Sequence, residues 1–358
     1  MMMPQVFYIV MTVALLQLLL AVIFSGIYLG KHPLKRGKIE KLSVVIPFKN
    51  EEDRIHGLID SINKVIIPKS MEVEFFFVDD HSTDNTAALL TKDLLKPHKI
   101  LLNNGKGKKD AIDTAIINSQ FDYILCWDAD IRFNESYLNT VYMMAEADCW
   151  ILPVRLKANN FIARLGSIEF DWMQILTFIS VKFNKPLLSN GANFLFRKER
   201  YFQAKEIRSD FNIASGDDVF LLNAFKELHA DIQVTKVRSI EVETDAPVDL
   251  ITLFNQRKRW INKVFKMKSG ISLLLGLFVS LIAIVPIVSI ALSLVYADVL
   301  FLVPLFCKYL IEYLFLRMYN GVQNGFSDLG IVLIHQLFYP IYLFVLLFYK
   351  PHDERWEA

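Results

Sequence analysis

The sequence predicts an α/β domain with a doubly wound parallel sheet, placed between helices that span a membrane. Three observations predict this class. Short apolar runs alternate with helix-like segments in the middle of the chain, long apolar segments lie at both ends, and polar clusters follow the predicted strands. Strands that alternate with helices pair in parallel, and such sheets bind ligands beyond the carboxyl ends of their strands.

Composition limits the classes of function. The 358 residues are 53% hydrophobic, and the formal net charge of +1 gives no sign of a nucleic-acid partner. Cys126, Cys149 and Cys307 lie far apart in the chain. Their spacing suggests neither a disulfide framework nor a thiolate metal site, so we expect all three to be buried apolar side chains.

The first apolar segment, residues 6–29, is about 24 residues long and can cross a hydrocarbon core of roughly 30 Å. No charged side chain precedes it, which is untypical of a signal peptide, and four basic residues follow it: Lys31, Lys35, Arg36 and Lys38. We therefore expect a retained anchor. The positive-inside rule places the following domain in the cytoplasm, at an inner or plasma membrane.

Further spans are predicted near residues 271–296, 299–317 and 330–349, separated by Asp298 and by the polar segment 320–328. Lys308 and Glu312 are four residues apart within one span, and we expect a buried structural pair. The predicted organisation is an anchor at 1–30, a cytoplasmic catalytic domain at 39–268, transmembrane or interfacial helices at 270–350 and a tail at 351–358.

The middle of the chain carries the α/β pattern. Strands are predicted at 42–47, 73–78, 99–102 and 123–127, and helices at 53–65, 86–95, 108–119 and 136–146. The segment 169–185 is partly amphipathic, which fits either a helix against the bilayer or a buried core helix.

The second predicted strand ends in Asp79 and Asp80. A carboxylate at a strand tip can accept hydrogen bonds from a nucleotide base or ribose. Acidic and hydroxyl side chains also cap helices, and Thr83 and Asp84 fit that simpler role. We assign the nucleotide contact to Asp80.

The fourth predicted strand ends in Asp128 and Asp130. Two carboxylates one residue apart can hold a hard cation such as Mg²⁺ or Mn²⁺, which neutralises the diphosphate of a leaving nucleotide. Such a pair also occurs by chance in surface turns, but here it follows the buried strand 123–127.

Lys108 and Lys109 open a helix after Gly105 and Gly107. Glycine lets the backbone approach a phosphate, and lysine adds charge at the positive helix end. The motif is not a P-loop, and a solvated basic loop is the simpler alternative.

Asp217 and Asp218 begin a helix predicted at 219–228, and one of them is expected to cap it. Transfer of a sugar with inversion needs a general base opposite the leaving group, and Asp218 is the candidate.

The segment Gln256-Arg257-Lys258-Arg259-Trp260 precedes the return to the membrane. It fits a juxtamembrane anchor, with basic side chains at lipid headgroups and Trp260 in the interfacial belt. It also fits phosphate recognition by the arginines and stacking of a sugar on Trp260. Position alone does not separate the two.

Together these segments resemble the family 2 glycosyltransferases of the GT-A fold, the group of the cellulose, hyaluronan and ceramide-glucoside synthases. The similar segments occur in the family's order and are 44–47 with 50–51, 77–80 with 82–84, 128–130, 190–193 before 197–198, 216–218 and 256–260. His81 departs from the pattern because the family usually has glycine there. The chain also has fewer spans than the large polysaccharide synthases.

The resemblance implies a GT-A, Rossmann-like fold and an inverting transfer that depends on Mg²⁺ or Mn²⁺. Implied nucleotide contacts are Pro47, Asn50, Glu51, Asp79, Asp80, Lys108, Lys109 and Asp128; implied metal ligands are Asp128 and Asp130. The implied catalytic carboxylates are Asp218 and Asp217, and the implied sugar and acceptor pocket holds Asn190, Gly191, Ala192, Asn193, Gln256, Arg257, Arg259 and Trp260.

The sequence therefore predicts a membrane glycosyltransferase that uses a nucleotide-diphospho sugar, with a UDP-linked donor expected, and a lipid or glycan acceptor, with membrane lipids as further partners. One alternative is a polyprenyl-phosphate transferase that uses GDP-mannose or a similar donor, although the 256–260 segment argues against it. Another is a non-catalytic membrane protein that senses nucleotide sugars, which the presence of Asp128, Asp130 and Asp218 disfavours.

Overall fold

The computed structural model describes residues 2–30, 37–183, 185–208, 210, 217–266, 270–320 and 327–350. In chain order the elements are α1 (Met2–Leu29), β1 (Lys41–Phe48), α2 (His56–Lys64), β2 (Glu72–Asp79), α3 (Thr86–Asp93), β3 (Lys99–Leu102), α4 (Lys108–Asn118), β4 (Tyr123–Trp127), β5 (Arg132–Phe133), α5 (Tyr137–Tyr142), β6 (Cys149–Ile151), β7 (Val154–Lys157), α6 (Phe161–Val181), β8 (Asn193–Arg197), α7 (Lys198–Ile207), α8 (Asp217–Glu227), β9 (Ile232–Val234), β10 (Val242–Asp245), α9 (Leu250–Lys266), α10 (Gly270–Tyr296), α11 (Val303–Asn320) and α12 (Ser327–Phe348).

The predicted α/β class is confirmed. The four predicted strands are β1 to β4, and the four predicted helices are α2 to α5, with α2 and α5 shorter than predicted. Apolar side chains define these elements: Val44, Val45 and Ile46 of β1 are fully buried, as are Phe76 and Phe77 of β2. Burial on both faces is typical of a central parallel strand.

Among the described residues, the main sheet has the strand order β3-β2-β1-β4-β8-β6-β9. β1 pairs in parallel with both β2 and β4, and β2 pairs in parallel with β3. The expected parallel pairing holds to this point, but β8 lies antiparallel between β4 and β6. A smaller sheet has the order β5-β10-β7. The parallel half brings the ends of β1, β2 and β4 to one edge, where predicted site residues follow each strand.

The chain forms two compact units. One unit holds Lys31–Lys157 and Leu176–Asp245, which include both sheets. The other, the helical unit, holds Met1–Gly30, Ala158–Ile175 and Ala246–Asp353. The predicted catalytic domain, 39–268, also includes 158–175 and 246–266, which belong to the same unit as the apolar helices.

In the described part of the helical unit, four segments are long and apolar enough to cross a membrane: Gln5–Leu29, Gly276–Tyr296, Val299–Tyr319 and Leu329–Phe348. Lys308 contacts Glu312 within α11, and the other carboxylate oxygen of Glu312 accepts a hydrogen bond from Gln336 of α12 at 2.8 Å. The predicted Lys308–Glu312 pair is therefore present and joins two neighbouring helices.

The segment predicted at 169–185 lies within α6, which begins at Phe161 and so starts before the predicted boundary. Leu165 and Ile168 of α6 pack with Leu316 of α11 and Val332 of α12 in one buried cluster. This first part of α6 is thus a packed helix of the helical unit.

Candidate active site

The carboxylate pair Asp128 and Asp130 follows directly after β4 and is partly exposed. The Lys108 ammonium lies 2.5 Å from Oδ1 of Asp128. Asp130 Oδ2 accepts a hydrogen bond from the Thr244 hydroxyl at 3.1 Å and lies 3.8 Å from Nη1 of Arg54. Each carboxylate is thus placed beside a cation from a different loop or helix. The two cations offset the charge of the carboxylates, which suits a site where a negatively charged phosphate binds.

Glu51 lies in the loop after β1 and is buried, and only one of its two carboxyl oxygens has a hydrogen-bond partner. Its Oε1 accepts a hydrogen bond from Arg54 at 2.7 Å, whereas its Oε2 is buried and has no hydrogen-bond partner. Burial raises the pKa of Glu51 from 4.5 to about 7; Arg54 opposes the rise, and Asp130 and Asp128 add to it. A buried carboxyl oxygen without a partner is costly and is a candidate ligand contact.

The residues after β2 hold two loops together. Asp80 is 1% exposed, and its Oδ1 accepts hydrogen bonds from the Asn103 amide at 2.6 Å and the Gly107 backbone at 2.8 Å. Its Oδ2 is buried without a partner. Asp79 accepts a hydrogen bond from the Ser82 backbone at 2.7 Å. One oxygen of Asp80 is therefore used to hold the glycine-rich loop, and the other is the one left for a nucleotide.

Asn50 and His81 both adopt left-handed backbone conformations, with φ of 52° and 59°. Asn50 Oδ1 accepts a hydrogen bond from the Thr83 backbone at 2.8 Å, and the His81 ring contacts the Gly105 carbonyl at 3.2 Å. Glycine adopts this conformation without steric cost, whereas histidine does not. His81 therefore holds a backbone conformation that glycine adopts more easily, and its ring adds a contact to the next loop.

The loop before α4 needs its two glycines. Gly107 has a φ of 89°, and a Cβ at Gly105 would lie 2.2 Å from the Asp110 carboxylate. Asp84 accepts hydrogen bonds from the backbone and hydroxyl of Thr86, the first residue of α3, although the N-cap position itself is Asn85. The contacts of the two glycines fix the loop that leads to Lys108.

Lys109 is not placed like Lys108. Its ammonium lies 2.5 Å from Oδ2 of Asp210 and 2.7 Å from the Asp210 carbonyl oxygen. Arg208 donates to the same carboxylate from two nitrogens, each at 2.9 Å. Consecutive lysines thus neutralise two different acidic groups.

Asp218 lies at the start of α8, beside the predicted sugar pocket. Its Oδ2 accepts a hydrogen bond from the Gly191 backbone at 3.2 Å, its Oδ1 accepts one from Val219 at 2.8 Å, and its carbonyl accepts one from the Ser189 hydroxyl. Gly191 and Asp218 both line one small pocket. The side chain of Asp217 lies outside the described residues.

The structure places Asn193 in the core instead of in a pocket. It is 0% exposed; its amide donates to the carbonyls of Pro153 and Ile240, and its Oδ1 accepts from the Tyr137 hydroxyl at 2.5 Å. Ala192 is also buried. In this arrangement Asn193 has no free hydrogen-bonding group for a sugar, so the predicted contact does not fit its burial.

The segment 256–260 lies on α9, in the helical unit. Arg257 is 1% exposed and donates to Glu169 at 2.5 Å, to the Gly166 carbonyl at 2.7 Å and to Gln256 at 2.5 Å. Its guanidinium lies 4.1 Å from the ring centre of Trp260. Arg257 is therefore occupied within its own unit, and the donor-cleft roles of Gln256, Arg257, Arg259 and Trp260 stay predictions.

Sequence reasoning missed Arg54, Asn103, Asp210 and Thr244. Arg54 is three residues from Glu51, a spacing that could have suggested the pair. Thr244 and Asp130 are 114 positions apart, and no local pattern joins them.

The residues present fit a shared metal site, not a metal site made by protein alone. Within the described residues, no group of three or more His, Cys, Asp or Glu side chains could hold an ion. Mg²⁺ commonly uses one or two carboxylates together with substrate phosphates and water. Asp128 and Asp130 fit that type of site.

Known proteins resemble this chain over part of its length. Residues 43–200 match the family model described as glycosyl transferase family 2. An undecaprenyl-phosphate 4-deoxy-4-formamido-L-arabinose transferase of Yersinia enterocolitica is 34% identical over 99 residues, which cover 26% of this chain and 30% of that protein. The transferase of the same description from Proteus mirabilis matches to the same extent. The chain thus spans about a third of the length of these curated relatives.

Among solved structures, the mannosyltransferase PcManGT of Pyrobaculum calidifontis, in complex with GDP-Man and Mn²⁺, is similar with a TM-score of 0.51. The similarity covers 93% of this chain and 99% of that chain at 14% sequence identity. At this identity the likeness shows a shared fold.

Proposed function

We propose that this chain, which carries a glycosyl transferase family 2 domain of the GT-A fold at residues 43–200, transfers a sugar from a nucleotide-diphospho sugar to an acceptor at a membrane. The observation that carries the proposal is one cluster at the carboxyl ends of β1 and β4. There Asp128 and Asp130 lie beside Lys108 and Arg54, and Glu51 keeps a buried oxygen without a partner.

Each part of the cluster has a role in donor binding. Glu51 Oε2 and Asp80 Oδ2, which are buried without a partner, form hydrogen bonds with the base and ribose. These bonds remove the cost of leaving the two oxygens unpaired. Lys108 offers a positive charge to the diphosphate. Asp128 and Asp130 would hold a Mg²⁺ or Mn²⁺ ion, which would neutralise charge on the leaving diphosphate.

Asp218 is the proposed general base. An acceptor hydroxyl oxygen attacks the anomeric carbon and forms the new glycosidic bond, while the bond to the diphosphate breaks and the diphosphate leaves with the electron pair. The hydroxyl proton passes to Asp218, so that charge and atoms balance. Attack opposite the leaving group inverts the anomeric centre. The backbone amides of Gly191 and Val219 hold the carboxylate in one orientation for this step.

A second candidate differs in the acceptor, which would be a polyprenyl phosphate. It is favoured by the names of the relatives, which are undecaprenyl-phosphate transferases. A phosphate monoester has its second pKa near 6 and is largely ionised at neutral pH, so it needs no general base. The two candidates therefore differ in how much they depend on Asp218.

The proposed location is an integral membrane protein with its catalytic domain in the cytoplasm, where nucleotide sugars are made. Four described helices are long and apolar enough to span a membrane, and basic residues follow the first one. A single cysteine introduced at Asn159 should resist labelling by a membrane-impermeant reagent on intact cells. Labelling at that site from outside would contradict the orientation.

A donor screen tests the proposal directly. The purified full chain is incubated in detergent with UDP- and GDP-linked sugars, Mn²⁺ and membrane lipid extract, and release of nucleoside diphosphate is measured. We expect release from one nucleotide class that depends on the extract and is lost in the variant Asp130→Ala. No release with any donor, from protein that still binds a nucleoside diphosphate, would favour the nucleotide-sugar sensor instead.

A further inference from the structure

Lys109 contacts Asp210 and the ring of Phe220, and Phe220 lies two residues after the proposed base. Its ammonium contacts Asp210 through both the carboxylate and the carbonyl, at 2.5 and 2.7 Å. The same ammonium lies 5.3 Å from the ring centre of Phe220. Asp210 comes before Asp218 in the chain and Phe220 comes just after it. Lys109 therefore joins the first turn of α4 to Asp210 and to the first turn of α8, which holds Asp218.

The Lys109–Asp210 contact is a buried one. Asp210 is 2% exposed, and the Lys109 side chain is 12% exposed. Burial acts to raise the pKa of Asp210, but hydrogen bonds and charges from Arg208 and Lys109 outweigh it and hold that pKa below its usual range. Removal of Lys109 leaves Asp210 paired with Arg208, whereas removal of the Asp210 carboxylate takes that partner from both cations, so we expect this buried contact to be stronger than a surface ion pair.

The same surroundings include the base itself. Lys109, Arg208, Gly191 and Asp218 all line one small pocket, whose remaining wall is mostly aromatic and aliphatic. An apolar wall keeps the local dielectric low, which strengthens the interaction of Lys109 with Asp210. Phe220 lies in the first turn of α8, so a shift of the Lys109 ammonium acts through the Phe220 ring on the part of the helix where Asp218 lies.

We propose that Lys109 is a positioning residue for Asp218 and not a ligand of the donor phosphates. This inference rests on the proposed function in one respect, namely that Asp218 is the base. It assigns different roles to two consecutive lysines. Lys108 contacts Asp128 at the proposed donor site, and Lys109, held by Asp210, sets the start of α8 through Phe220.

The test compares matched variants of the two lysines in the full chain. We expect Lys109→Met to lower kcat by about 100-fold, the effect of a misplacement near 1 Å, while the donor KM and the Kd of nucleoside diphosphate change less than about twofold. Lys108→Met should instead raise donor KM and that Kd. Lys109→Arg keeps the charge beside Asp210 and should recover most of kcat.

The partner variant Asp210→Asn separates positioning from phosphate binding. It leaves Lys109 in place but weakens the contact, so we expect the same loss of kcat with the same unchanged donor KM. The double variant Lys109→Met with Asp210→Asn should be no worse than the more impaired single variant, because both remove one interaction. A wild-type kcat for Asp210→Asn would overturn the proposal. So would a raised donor KM with a wild-type kcat for Lys109→Met.

Hydrogen exchange makes the result independent of transferase activity. In the protein without substrate, amides of α8 should exchange faster in Lys109→Met than in wild type, and should be unchanged in Lys108→Met. If the chain transfers no sugar, the proposed function fails while this measurement still reports on the contact. Equal exchange in both lysine variants would refute the positioning role by itself.

Discussion

Replacement of Glu51 by glutamine should remove a pH dependence of stability that the wild-type protein carries. The folded protein raises the pKa of Glu51 from 4.5 to about 7, mainly by burial. A raised folded pKa means that the native state binds the proton more tightly than the unfolded state. The contribution of Glu51 to the free energy of unfolding is therefore greatest below pH 4.5. It falls as the pH rises to about 7 and is constant above that.

The magnitude follows from the size of the shift. At 1.36 kcal/mol for each pH unit, a rise from 4.5 to about 7 corresponds to about 3 kcal/mol of lost stability at alkaline pH. For a domain of about 150–250 residues, each kcal/mol moves the Tm by about 2–4 °C, which gives roughly 5–10 °C here. Glu51→Gln keeps the shape and cannot ionise, so it should not show this loss.

The assay is thermal unfolding in detergent at pH 5.5, 7 and 8.5, with EDTA present so that no divalent cation beside Asp128 and Asp130 lowers the pKa of Glu51. We expect the Tm of wild type to fall relative to that of Glu51→Gln between pH 5.5 and 8.5. Asp53→Asn is the matched control, because it removes an exposed carboxylate two positions away. A constant difference in Tm between wild type and Glu51→Gln across this range would refute the buried, raised-pKa state.

Three further predictions concern the metal, the base and the helical unit. Activity should vanish in EDTA and return with Mg²⁺ or Mn²⁺, and Asp130→Ala should reduce nucleoside diphosphate release far more than protein yield; full turnover in chelator would exclude the metal role. Asp218→Asn should bind donor normally and slow transfer to a hydroxyl acceptor by about two to four orders of magnitude. Normal transfer by this variant with an inactive Asp217→Asn would identify the other carboxylate as the base, and normal transfer by both would favour a phosphate acceptor. Arg257→Lys, which cannot keep all three buried contacts of the guanidinium, should lower the Tm in detergent more than Arg259→Lys does; equal Tm values would contradict a structural role for Arg257.

Much of the α/β fold could be predicted because its signals are local. Strands such as 99–102 and 123–127 are short, apolar and bounded by turn-forming residues, and the structure has β3 and β4 at those residues. The helical spans are equally local, since length and hydropathy suffice to identify them. Antiparallel β8 was not predicted, because its neighbours β4 and β6 are set by pairing between segments distant in sequence.

The candidate site could be predicted in part for the same reason. Asp128 and Asp130 follow a recognisable strand, so a carboxylate pair at its end can be inferred from sequence alone. Asn193 shows the limit of that inference. It lies in a segment that resembles a family motif, yet its side chain is fully buried and hydrogen-bonded to Tyr137, Pro153 and Ile240. Burial depends on the packing of several segments, and a motif does not encode it.

The sequence by itself determined the class of domain, the apolar spans and the residue types that gather at the strand ends, because periodicity, turn chemistry and hydropathy act over a few neighbouring residues. Only the tertiary structure decided which partner each charged side chain takes. Lys108 and Lys109 are adjacent and chemically identical, but helical geometry points successive side chains about 100° apart, so one meets Asp128 and the other meets Asp210. The different partners of the two lysines are therefore a consequence of the fold.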